Sequence, residues 1–272
     1  MSTRSAFRFD PRAIIGSFLT GVVFVVLFTW MTGNALGAPT FPLLAMISGF
    51  ILAGVTYGAL SEGETVMEPA LAAVLVAVAA YFIISALGLR AFETLVSDGD
   101  FTYTMVVAFM NGLILTFGGA WAGEMLQRTY AESESPALAW SWVMVGSILG
   151  FAISLFLVNF VIWLFGLFGN PAAALDAPYA WVMLLVVFLG LEATGYVCAF
   201  RSPGDTSYEA AIAGLITLVL LIDVFVVALG GGGILTYGRM ILVLVIGLVA
   251  SLVGGYIGER RQTRAGETGS AV

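Results

Sequence analysis

Residues 61–72 read SEGETVMEPALA and residues 202–213 read SPGDTSYEAAIA. Serine, glycine, an acid, threonine, glutamate and two alanines hold matching places, and an apolar run follows each stretch. In both, a threonine precedes a glutamate by three residues: Thr65 before Glu68, and Thr206 before Glu209. This spacing predicts a capping box, in which the threonine oxygen accepts from the third helical amide while the glutamate reaches back to the cap amide. Such caps satisfy donors that lipid cannot satisfy, and the acids suit the positive end of the helix dipole. A repeated acidic ion site made by Glu62, Glu64, Glu68, Asp205 and Glu209 is the competing reading. Neither stretch has the ligand spacing of a calcium loop, so helix capping is preferred.

The surrounding chain explains why capping matters. Hydrophobic residues make up 60% of it and charged residues 10%, whereas about a quarter of residues are charged in soluble domains. Residues 13–61, 69–89, 101–123 and 135–175 contain no Asp, Glu, Lys or Arg, and a spanning helix needs only about 20 apolar residues. The implied surroundings are a lipid bilayer. Breaking the runs at their Gly, Pro and Asn signals predicts eight spans, near 13–33, 41–60, 66–89, 102–126, 137–167, 178–200, 207–230 and 236–258. The first run is too long for a signal-peptide core of about 7–15 residues, so a retained first span is expected.

All ten basic residues are arginine. With an even number of spans and both termini cytoplasmic, eight of them lie inside and only Arg90 and Arg239 outside, the bias of the positive-inside rule. The acid excess hints at a prokaryotic source and hence a prokaryotic cytoplasmic membrane. It also excludes nucleic acid as a partner, because phosphate binding needs a basic patch.

An offset of 141 residues superposes Gly49 on Gly190, Gly54 on Gly195, and the two quoted stretches on each other. A shorter echo pairs GAWAGEMLQ at 119–127 with GGYIGERRQ at 254–262, and Gly16-Ser17 pairs with Gly146-Ser147. The expected fold is therefore all-α and polytopic: two parallel four-helix repeats, 1–134 and 135–272. Small residues four apart close the second and fourth helix of each repeat: Gly54 and Gly58, Gly119 and Gly123, Gly195 and Ala199, Gly254 and Gly258. Small-xxx-small stripes let helix backbones approach closely in lipid. Internal helix packing is the expected use, with association of a second copy as the alternative.

Chemistry is narrowed mainly by what the chain lacks. Without histidine or lysine, and with Cys198 as its one thiol, it has no HExxH zinc site, histidine-ligated haem, P-loop lysine or Schiff base. Serines such as Ser147 and Ser154 have no base, and an intramembrane aspartyl dyad needs two facing aspartates. No enzyme activity and no cofactor are expected. Glu192 and Asp223 lie inside expected spans, where an ionisable residue is a functional hypothesis by default. Their counterparts under the offset are Ile51 and Phe82. Asp223 is expected to pair with Arg239, whereas Glu192 has no obvious basic mate. Asn111 and Asn159 complete the candidate polar site and are expected to hydrogen-bond between helices, and the tryptophans are expected to form an interfacial belt. The leading expectation is a packing or assembly module, or a subunit of a membrane complex. The alternative is a transporter or channel with its site between the halves near Glu192.

Overall fold

The computed structural model describes residues 10–34, 39–61, 67–127, 139–170, 180–202, 206–228 and 237–269. Within them the chain is helical: α1 (Pro11–Gly33), α2 (Thr40–Leu60), α3 (Met67–Leu87), α4 (Glu93–Ser97), α5 (Phe101–Gln127), α6 (Trp140–Leu167), α7 (Ala180–Arg201), α8 (Thr206–Ala228) and α9 (Tyr237–Gly269). All but α4 contain an apolar stretch long enough to cross a bilayer, giving eight candidate spans. Asp10 starts α1 by accepting from the amides of Arg12 (3.0 Å) and Ala13 (3.3 Å), with Pro11 in the first turn where its missing N–H costs nothing.

Two features differ from the sequence-based expectation. Between α3 and α5 the chain makes a 3-10 turn, Arg90–Phe92, and then the single short helix α4. Positive-φ glycines at Gly88 (φ 55°) and Gly99 (φ 80°) bracket this segment, a conformation that side-chain-bearing residues adopt at a cost. Leu89 and Phe92 fold back into the core beside Phe101 and Met105, so the segment caps the bundle. At the other end, α9 continues to Gly269, beyond the expected limit near residue 258. The charges from Glu259 onward mark where the helix leaves an apolar environment. They do not stop it, because Glu, Arg and Gln are good helix formers.

The helices form two groups with the same internal pairing. In the first, α2 lies between α1 and α5, and α3 packs on α1. In the second, α7 lies between α6 and α9, and α8 packs on α6 and α9. Val25, Met46, Phe50, Val76, Ala80, Ile84 and Met105 form the core of the first group, while Leu191, Leu218 and Ala250 close part of the second. The groups meet chiefly through α6, which lies against α1, α2 and α5. Ile51 is buried there among Phe151, Ala152 and Leu155, joined by Leu221 of α8, and the Phe28 and Phe156 rings stand 4.9 Å apart. A hydrogen bond crosses this junction, from Ser48 Oγ to Ala152 O at 3.1 Å. Ser48→Ala is expected to cost about 0.6 kcal/mol, the mean for such bonds within membranes. Chemical unfolding in mild detergent measures it, and a loss several times larger would mean that Ser48 holds more than this bond.

Candidate functional site

At the start of α3, Glu68 is almost fully buried. Its Oε1 accepts from the backbone N–H of Asp10 at 3.1 Å, a residue 58 positions away that opens α1. Its Oε2 accepts a short hydrogen bond from the Tyr57 hydroxyl, and Ser61 Oγ donates to that hydroxyl at 3.3 Å. At the start of α8, Glu209 does the same for the second group: Oε1 accepts from the N–H of Ala139, which opens α6, at 2.5 Å. Each of these glutamates therefore ties the start of a third helix to the start of a first one. This is a tertiary bond, where the sequence suggested one local to a single helix. Thr65 and the side chain of Thr206, the local partners expected in the capping box, lie outside the described residues.

The two networks differ at one position. Cys198 stands where the offset of 141 places Tyr57's counterpart, and its thiol is buried. A cysteine is too short to replace the phenol, and Glu209 Oε2 has no hydrogen-bond partner among the described residues. Among the described residues, one half thus holds its glutamate by two bonds and the other by one.

The last turns of α5 and α9 add a second matched pair. Gln262 Nε2 donates to Ser202 O at 3.1 Å. With its amide oriented to face acceptors, Gln127 donates to Ser61 O (2.9 Å) and to Gly58 O (3.1 Å). Between these ends, helix backbones come into direct contact. A Cβ at Gly54 would lie 2.7 Å from Ala120 N and run into Thr116 O. At Gly195 the same atom would lie 3.0 Å from Gly255 N and run into Ser251 O. From the opposing helices, Gly119 faces Ile51 O and Val55 N, while Gly254 faces Glu192 O and Tyr196 N. Gly123 meets Val55 O and Ala59 N, and Gly258 meets Tyr196 O and Phe200 N. Every contact in one group has its counterpart in the other under offsets of 141 for α2 and α7 and 135 for α5 and α9. Gly58 likewise sits on Ala120 O, and the Ala199 side chain that replaces it meets Gly258.

The structure does not bring the candidate intramembrane polar residues together. Glu192 is half-buried on α7, and its carboxylate makes no hydrogen bond or ion pair with the described residues. Asp223 is exposed on α8, as its counterpart Phe82 is on α3. The side chain of Arg239, its expected mate, lies outside the described residues. Neither asparagine bridges helices. Asn111 is exposed and donates to Val107 O of its own helix at 3.1 Å; Asn159 is buried and donates to Leu155 O at 2.7 Å. Asn159 Oδ1 is left unpaired beside Phe28, Met31, Ala45 and Phe156, in a narrow space between α1, α2 and α6. Each amide bonds to a carbonyl four residues back in its own helix, and around Asn159 the side chains of α1 and α2 are apolar. Trp30, Trp140 and Trp181 are exposed near helix ends, but Trp142 is buried against Ala122 and Met125.

Sequence reasoning missed Tyr57 and the long reach of the two glutamates. The sole advance sign was that an acid buried at the head of an apolar helix needs partners. Among the described residues, no three or more Cys, Asp or Glu side chains converge as a metal site. By fold and composition the chain is a multi-pass helical membrane protein. No protein-family model, curated protein or solved structure matches it.

Proposed function

We propose that this chain is a non-enzymatic packing and assembly module of a membrane, built from two homologous four-helix repeats, 1–134 and 135–272, that face the same way. The observation that carries this reading is the pair of matched crossings, α2 on α5 and α7 on α9, in which the same small residues admit the same backbone atoms. Where two backbones touch there is no room for a pathway between them, and close contact of this kind drives helix association in lipid. The matched glutamate ties at Asp10 and Ala139 support the same reading. Arginine placement favours cytoplasmic termini, and the acid-rich, lysine-free composition favours a prokaryotic cytoplasmic membrane. Purification in gentle detergent, followed by identification of copurifying chains, tests the assembly role. A stable solitary chain that carries flux of a solute or ion would refute it.

One observation favours the transporter alternative: Glu192 is half-buried with no partner among the described residues, in a position whose counterpart Ile51 is sealed. The two readings part on Glu192→Gln. For an assembly module the variant is expected to insert, fold and associate as the native chain does. In a transporter the same substitution removes the ionisable group and abolishes proton- or cation-coupled flux into vesicles.

A further inference from the structure

The junction between the two groups is one-sided. Helix α6 lies against α2 and α5, but the reciprocal contacts, α1 with α7 and α1 with α9, are not among the substantial ones. A two-fold axis would have generated both. The halves are instead joined heterologously, the face of one meeting a different face of the next. Two complementary faces are consequently left over in each chain.

The first is on α1. The matched ties of Asp10 to Glu68 and of Ala139 to Glu209 set α1 on α6 at an offset of 129, which maps Val145, Ile148, Leu149 and Ala152 of the junction onto Gly16, Leu19, Thr20 and Val23. Ala152 is 4% exposed and Val23 is 56% exposed; Ile148 is partly buried whereas Leu19 is exposed, and Gly16 and Thr20 are half-exposed. The second face is on α7 and α9. Ser48, Ile51 and Ala122, all buried under α6, map onto Leu189, Glu192 and Ile257. Ser48 is fully buried whereas Leu189 is 45% exposed, and Ile257 is exposed too. Gly118, which touches Ile148, maps onto exposed Val253.

From this geometry we infer that the α1 face of one copy docks on the α7–α9 face of another, repeating between chains the contact that α6 makes within one. The inference rests on the two-repeat reading given above. The position of Glu192 favours occupancy of this face over bare lipid, since a carboxylate facing hydrocarbon is costly. A head-to-tail contact closes into a ring or runs on as a filament, according to the rotation per copy.

The test is disulfide trapping in native membranes. Ser48 and Ala152 touch within the chain, and their counterparts are Leu189 and Val23. The double variant Val23→Cys with Leu189→Cys is expected to lose its monomer band on oxidation and give a reducible ladder of dimers and higher species. Each single variant is expected to stay monomeric alone and to give a dimer only when coexpressed with the other. The parent chain, whose Cys198 is buried, gives no ladder. As an internal control, Ser48→Cys with Ala152→Cys is expected to bridge within one chain, scored by protection of both thiols from a maleimide. A bridged control without a ladder overturns the inference and leaves the two-repeat reading standing. A control that does not bridge removes the internal junction, and both fall together. Self-crosslinking of Leu189→Cys alone overturns the head-to-tail arrangement in favour of a symmetric dimer.

Discussion

Gly54→Leu is expected to be among the most damaging single substitutions in this protein. The crossing of α2 on α5 brings Thr116 O and Ala120 N to the glycine Cα, so that even a methyl group meets backbone atoms. Backbone cannot rotate away as a side chain can. The helices must separate, and the loss is expected at the top of the overpacking range, about 3 kcal/mol. Gly195→Leu is expected to match it, since Ser251 O and Gly255 N occupy the equivalent places. Gly118→Ala supplies the contrast. Its nearest neighbour is the tip of Ile148, 3.4 Å away, so alanine is expected to be neutral or to stabilise by up to about 1 kcal/mol through its better helix propensity. Thermal unfolding in mild detergent reads all three. Tolerance at Gly195 with damage at Gly54 would break the equivalence of the two crossings.

The second large effect is expected at Glu68. Alanine there strips the acceptors from the Asp10 amide and the Tyr57 hydroxyl at once. Buried donors left unpaired cost about 1–3 kcal/mol each, so Glu68→Ala is expected to lose on the order of 2–5 kcal/mol, with the start of α1 becoming exposed to hydrogen exchange. Tyr57→Phe removes one of the two bonds and is expected to lose about 1.5–3 kcal/mol, the range for bonds to a charged group. Glu209→Gln is expected to behave differently. It keeps an acceptor for the Ala139 amide while replacing a carboxylate oxygen that has no partner among the described residues. Stability equal to or above that of the native chain is the expected result. A Glu68→Ala variant as stable as the native chain would show that the α1–α3 tie contributes little.

Much of the fold was legible in the sequence. The eight apolar stretches became eight candidate spans with ends near the expected ones, because length and hydropathy are properties of a local run. The exceptions are instructive. Residues 90–97 fall between two expected spans, yet Leu89 and Phe92 are drawn into the core and the segment coils between two left-handed glycines. The last span was expected near 236–258, whereas the helix runs on to Gly269, because charge marks departure from lipid and not the end of helical hydrogen bonding. The candidate polar site was legible only as a set of residue types. Asn111 and Asn159 were expected between helices and bond to their own carbonyls, a choice made by neighbours that no local pattern reveals.

Taken alone, the amino-acid order determined the solvent of this protein and the extent of its helices, since both follow from summing side-chain transfer energies over neighbouring residues. It also placed glutamate at the head of α3 and of α8. Only the tertiary structure decided what those glutamates hold: amides 58 and 70 residues distant in the chain, brought within reach by helix packing. The one-sided junction through α6, and with it the exposure of Leu19, Leu189 and Glu192, was likewise decided in three dimensions. In a membrane every helix face is apolar, so the pattern that separates buried from exposed in water is absent from the sequence, and contact with a neighbour is what makes the difference.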